Sequence, residues 1–139
     1  MQTTPPSDNS WLTWTILIIA AGLVLLVTYV LRKGRRLPGP HVFRASRLTR
    51  GNRIFPAQVQ VTSSSVTMFQ PQWIGKLEES VHIAHVASIK IDTNVLFSDV
   101  LIETTGGHNP LACHGHTKAD AVRMKKVIEE FQSEYYKKN

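Results

Sequence analysis

One uncharged apolar segment dominates the N-terminal quarter of this chain. It begins at Trp11, ends at Leu31, and is followed at once by Arg32, Lys33, Arg35 and Arg36. At a helical rise of about 1.5 Å per residue, a segment of this length spans roughly 30 Å, the thickness of the hydrocarbon core of a bilayer. The sequence therefore predicts a transmembrane helix over residues 11–31.

The charges on either side of this segment predict its orientation. Short segments rich in Lys and Arg stay on the cytoplasmic side of a membrane, whereas acidic residues contribute little. Residues 1–10 contain no Lys or Arg. We therefore expect residues 1–10 to form a short extracytoplasmic tail and residues 32–139 to lie in the cytoplasm. A cleaved signal peptide is the weaker interpretation, because the apolar run is long and no basic segment precedes it.

Basic residues are concentrated immediately after the apolar segment. Positions 32–53 contain eight Lys or Arg residues and no acidic one. Beside a membrane helix, the nearest anionic partner is the lipid headgroup layer, which contributes about 1 kcal/mol per Lys or Arg near the surface. We therefore predict anionic membrane lipids, and no nucleic acid, as the partner of a membrane-surface set made up of Arg32, Lys33, Arg35, Arg36, Arg44 and Arg47. The alternative is that these basic residues only determine the orientation of the helix in the membrane and bind no specific lipid.

The remaining chain predicts one small domain. Residues 32–55 contain Gly and Pro with little apolar periodicity, so we interpret them as a basic juxtamembrane linker. Residues 56–139 are enough for one domain but too few for two. Six to seven short segments alternate apolar and polar residues, which predicts antiparallel strands. From Thr117 to about residue 136 the apolar spacing becomes three and four, which predicts an amphipathic C-terminal helix.

These elements carry a resemblance to a known family. Their order, together with the segments VTSSSVTMF, ESVHIAHVASIKI, DVLIETTGG and GHTKADAVRMKKVIEEF, resembles a bacterial pleckstrin-homology-like domain over about residues 55–136. The resemblance implies a strongly bent barrel of two antiparallel sheets that is capped by the C-terminal helix and often follows a membrane helix. It also implies binding or scaffolding at the bacterial cytoplasmic (inner) membrane rather than an enzymatic activity.

The first hairpin turn departs from the lipid-reading eukaryotic members of this family, which carry Lys and Arg there. We identify that turn as Ser63–Ser65, and no basic residue lies between Arg53 and Lys76. Specific recognition of inositol phosphates is therefore not expected, because little positive charge is available to pair with phosphate.

Candidate metal or catalytic chemistry is limited to one short segment. His108, Cys113, His114 and His116 offer possible metal ligands, but they lack the paired spacing of structural zinc sites. Cys113 is more simply a small buried residue on a strand. The sequence has no Gly-rich phosphate loop and no nucleophile elbow. We therefore predict no cofactor, no metal and no enzymatic activity.

Two functional hypotheses remain open, and a third ranks well below them. The first is a membrane-anchored binding or scaffold module whose partners are integral membrane proteins. The second is an accessory or stabilising subunit of a larger membrane complex, such as an energy-converting one, and the third is a metal-dependent enzyme. We predict Trp73 as the contact with other proteins, because a large aromatic side chain in a turn is a natural interface anchor. Packing beneath its own loop is the alternative for Trp73.

Overall fold

The computed structural model describes residues 9–106 and 109–138, and the chain divides into two compact units, Met1–Lys33 and Gly34–Asn139. The first unit contains helix α1 (Ser10–Lys33), which is apolar on all sides and buries none of its residues. A helix of this length and composition suits a membrane span or a signal sequence. The prediction of an apolar N-terminal helix is confirmed.

The second unit contains seven strands and one long helix. Its elements are β1 (Val42–Arg44), β2 (Gln58–Val61), β3 (Ser65–Pro71), β4 (Lys76–His82), a short 3₁₀ helix (Ile83–His85), β5 (Val86–Thr93), β6 (Ser98–Thr104), β7 (Leu111–His116) and α2 (Lys118–Lys138). Strands β1–β4 form one antiparallel sheet in chain order, and β5–β7 form a second. Within the described residues the two sheets are separate, so the bent barrel is open. Two antiparallel sheets followed by a C-terminal helix confirm the predicted pleckstrin-homology-like fold class.

Alternation along the strands builds the core. Val59 of β2 lies opposite Met68 of β3, and both side chains are buried. In the second sheet, Val100 and Ile102 of β6 are buried two positions apart. Because successive side chains of a strand point to opposite faces, this period of two directs one face of each sheet toward the other.

Helix α2 packs its apolar stripe against both sheets. Its start is capped by Thr117, whose hydroxyl accepts a hydrogen bond from the backbone N–H of Asp120 at 3.1 Å. Ala121, Met124 and Ile128 are fully buried. Farther along, the stripe continues into partly buried side chains, so the first half of the helix contributes most of the contact with the core.

The segment that leads into the domain is part of its fold. Phe43 of β1 belongs to the core, and β1 pairs with β2. The buried side-chain amide of Gln58 donates to the backbone oxygen of Arg35 at 2.8 Å and accepts from the backbone N–H of Leu37 at 2.8 Å. The predicted linker over residues 32–55 therefore contains a strand of the first sheet and a segment that is bound to β2.

Candidate functional site

The four residues that we considered as metal ligands have different environments. His108 lies outside the described residues. Cys113 is buried, and burial together with the charge of Glu79 raises the pKa of its thiol to about 12. His114 is exposed, whereas His116 is fully buried. In the described part of the chain, no three His, Cys, Asp or Glu side chains are grouped to hold a metal ion.

His114 is hydrogen-bonded to Asp99 at the surface. Its Nδ1 lies 3.0 Å from Oδ2 of Asp99, and the other carboxylate oxygen of Asp99 accepts the backbone N–H of Gly115 at 2.7 Å. Burial by itself would raise the pKa of Asp99, but the hydrogen bonds from His114 and Gly115 outweigh it and lower that pKa. The pair orients the end of β7 against β6, since the two residues lie on these paired strands.

The structure corrects the position of the first hairpin. Because β1 precedes β2, the first hairpin connection is the loop over residues 45–57, and Ser63–Ser65 belongs to the next turn. The identification of Ser63–Ser65 as the first turn was wrong, since a strand of three residues is too short to show alternation. The true first connection contains Arg47, Arg50 and Arg53 and no acidic residue. The expected lack of positive charge at this position is therefore also wrong.

Three loops meet at one end of the second unit. The loop over 72–75 precedes β4 and the loop over 94–97 follows β5, while the 3₁₀ helix joins the opposite ends of these two strands. Leu48 and Arg50, from loop 45–57, line one groove with loop 72–75 and another with loop 94–97. The two grooves have volumes of about 690 and 520 Å³. We call the three loops, 45–57, 72–75 and 94–97, the loop surface.

The loop surface exposes large apolar side chains. Ile74 is 93% exposed, Val95 88% and Leu48 82%. Trp73 is about half exposed, and its ring meets the buried ring of Phe55 edge to face with centroids 5.3 Å apart. One edge of Trp73 therefore packs on its own domain and the rest faces solvent, and its contact with other proteins stays a prediction. Large apolar side chains exposed on neighbouring loops are typical of interaction sites.

Positive charge accompanies these apolar side chains. Arg50 and Arg53 line the groove beside Trp73, and its described lining includes no acidic residue. The groove beside Val95 contains Arg50 and the His114–Asp99 pair. An anionic or aromatic partner is therefore favoured over a cationic one at the first groove, because Arg binds oxyanions and stacks on aromatic faces.

The predicted membrane-surface residues are divided between the two units. Arg32 and Lys33 lie in the last turn of α1. The other four belong to the second unit, where Arg36 donates to the backbone oxygen of Val42 and is itself exposed. Arg44 lies at the end of β1 and is partly buried.

A comparison with solved structures finds a similar protein. The chain is similar to a protein of the DUF1696 family with a pleckstrin-homology domain from Shewanella loihica PV-4, at a TM-score of 0.46 and 14% identity. The similarity covers 68% of this chain and 99% of that chain. No protein-family model matches the chain, and no curated protein matches it significantly. The strand order described above, four strands then three and a C-terminal helix, is what makes the domain pleckstrin-homology-like.

Proposed function

We propose that this chain is a membrane-anchored, non-catalytic binding module. Helix α1 is its anchor, and the second unit presents the loop surface to a partner at the cytoplasmic face of a bacterial membrane. The observation that carries this proposal is the coincidence of an unburied apolar helix with a compact domain whose loop end exposes apolar side chains beside arginines. A monomeric soluble domain rarely exposes such a surface without a partner.

Another protein in the same membrane is the partner that we propose for the loop surface. Trp and Arg are the side chains that contribute most often to binding energy at protein interfaces, and here Trp73 and Arg50 line the same groove. Ring packing against Phe55 holds Trp73 in place before a partner arrives, which lowers the entropy cost of binding. The basic residues in the last turn of α1 and immediately after it add attraction to anionic lipid headgroups.

Variants of the loop surface test this proposal. Ile74→Asp changes a side chain that is 93% exposed, and it therefore alters the surface without disturbing the core. We expect Ile74→Asp and Trp73→Ala to reduce the yield of co-purified or cross-linked membrane proteins by about tenfold or more, as truncation of an interface anchor does. Tyr136→Ala is the matched control, because Tyr136 is exposed and contacts Ala84 in the 3₁₀ helix, at the opposite end of β5.

Unchanged partners at unchanged yield in both loop variants would contradict this use of the loop surface. If the parent protein binds protein-free vesicles and Ile74→Asp does not, the partner of the loop surface is lipid and not protein. Anchoring is tested separately by alkaline extraction of membranes: we expect the full chain to stay in the membrane pellet and residues 34–139 to be released. A mature protein that lacks residues 1–33 would identify α1 as a cleaved signal sequence.

The amount of exposed apolar surface favours a second candidate, an accessory subunit of a membrane complex. Permanent interfaces are more apolar than transient ones, and the loops of this domain expose Leu48, Val95 and Leu96 in addition to Ile74. A fixed subunit would co-purify in mild detergent at constant stoichiometry. A recruiting module would instead give partners whose amounts vary with growth conditions.

A further inference from the structure

We propose that His116 is an acid-sensitive latch for the loop surface. While its ring is neutral and buried, loop 45–57 stays docked on the end of β7, and a proton on the ring releases that loop. This inference rests on the proposed function, because it concerns the regulation of the same surface. Opening of the loop can nevertheless be measured without a partner.

Loop 45–57 is attached to the end of β7 at Gly115. The backbone N–H of Ser46 donates to the carbonyl oxygen of Gly115 at 2.8 Å. The side chain of Thr49 occupies the space that a Cβ atom at Gly115 would need. The N–H of Gly115 in turn donates to the carboxylate of Asp99 on β6 at 2.7 Å. A single glycine therefore joins the loop to the second sheet.

The shape of the loop depends on this attachment. The side-chain amide of Asn52 donates to Oγ1 of Thr49 at 3.0 Å and accepts the backbone N–H of Ala57 at 2.8 Å. A displacement of Thr49 is therefore transmitted to the far end of the loop. Leu48 and Arg50, on either side of Thr49, line both grooves of the loop surface. Release of the loop from β7 changes both grooves together.

The residue after Gly115 carries the buried ring that responds to acid. The ring of His116 is fully buried, and neither Nδ1 nor Nε2 has a hydrogen-bond partner in the part of the chain that the structure describes. A protonated ring carries a charge and a second N–H donor, and burying them without an acceptor costs more free energy than exposing them to water. Movement of the ring to water requires Gly115, its neighbour in the chain, to move, which breaks the hydrogen bond from Ser46.

Three charged or titratable side chains act on the ring from three elements. Asp99 on β6 and Asp120 on α2 favour a proton on His116, whereas His114 on β7 opposes it. Burial outweighs both carboxylates and lowers the pKa of His116 to about 4. Neither carboxylate is hydrogen-bonded to the ring. A protonated ring is therefore solvated by water after the latch opens, rather than by an ion pair inside the domain.

Hydrogen exchange of the full-length protein in dodecyl maltoside, read by mass spectrometry, measures this opening. Amides that exchange through exposure of His116 should lose about 20-fold in protection between pH 7 and pH 5, after correction for intrinsic rates. The reason is that the pKa of the ring is 6.5 when exposed and about 4 when buried. We expect this loss in peptides of loop 45–57, with protection below that of β2 and β3 at both pH values.

Two variants identify the group that titrates. His116→Gln has no titrating ring and should show no such loss, and His116→Leu takes its place if the Gln variant does not fold. His114→Gln, an exposed change on the same strand, should behave like the parent. The latch would be overturned by loop protection that does not change with pH, that changes equally in His116→Gln, or that equals the protection of β2 and β3.

Cross-linking to membrane proteins connects the latch to the proposed function. The parent should capture less partner than His116→Gln at pH 5, and the two should capture equal amounts at pH 7. If the loop opens as expected but capture at pH 5 is equal, the loop does not regulate the surface and the inference is wrong. If the loop opens as expected but no partner is captured at either pH, the latch is supported and the proposed function alone is contradicted.

Discussion

The buried imidazole of His116 makes the stability of the domain depend on pH. The side chain has no exposed surface, and neither ring nitrogen has a partner within residues 9–106 and 109–138. Burial lowers the pKa of His116 to about 4 from 6.5, although the charges of Asp120 and Asp99 act in the opposite direction. The folded state therefore holds the neutral ring, and the unfolded state takes up the proton first as the pH falls.

The sign and size of the effect follow from this difference in pKa. The pKa of His116 is lower in the folded state than in the unfolded state. Its contribution to the free energy of unfolding is therefore fully present above pH 6.5 and is lost as the pH falls toward 4. At 1.36 kcal/mol per pKa unit the total loss is about 3 kcal/mol, and about 2 kcal/mol of it falls between pH 7 and pH 5. The lowered pKa of Asp99 acts only at pH values below this interval, so it leaves the measurement undisturbed.

Urea unfolding of residues 34–139 at pH 7 and pH 5 measures this loss. The parent should lose about 2 kcal/mol of unfolding free energy between the two values, whereas His116→Gln, which has no titrating ring, should lose much less. His85→Gln removes an exposed histidine and should behave like the parent. An equal pH dependence in the parent and His116→Gln would refute the assignment of the effect to the buried ring.

Three other predictions concern the fold and its orientation. Ile128→Ala should lower the unfolding free energy by about 3 kcal/mol in urea, because it leaves a cavity under α2, whereas the exposed Val122→Ala should change it by less than about 0.5 kcal/mol. Gly115→Ala should cost about 2 kcal/mol or more in the same assay, because φ is +78° there and a Cβ atom would lie 2.2 Å from Oγ1 of Thr49. Lys138→Cys should react with a membrane-impermeant maleimide only after the cells are opened, and labelling in intact cells would reverse the proposed orientation.

The parts of the fold that depend on local spacing could be predicted from the sequence. Alternation marks Val59 and Val61 as one face of a strand, and spacing by four marks Met124 and Ile128 as one face of a helix; all four are buried. These patterns record the geometry of a single element, in which the chain itself determines which side chains share a face. The same local patterns therefore predicted the six strands and the long helix after residue 56, but not the short 3₁₀ helix at Ile83–His85.

The parts that depend on pairing between distant segments could not be predicted. Strand β1 is recognisable only by its register with β2, across a connection of residues 45–57 that has no repeating pattern. Missing β1 displaced the first hairpin and hid the arginines of its loop. The His114–Asp99 pair likewise exists only because β6 and β7 are neighbours, and no spacing in the sequence indicates it.

Gln58 binds the segment that leads into the second unit to the end of the first sheet that carries the loop surface. Gln58 is the first residue of β2 and lies opposite Phe69, near the end of β3 from which loop 72–75 continues. Its buried amide binds the backbone of residues 35–37, so the chain enters the domain at the end of the first sheet that carries the loop surface. In the proposed function, α1 would hold the domain and a partner in the same membrane layer, so the partner would be met at high effective concentration and moderate affinity at Trp73 would suffice for stable association.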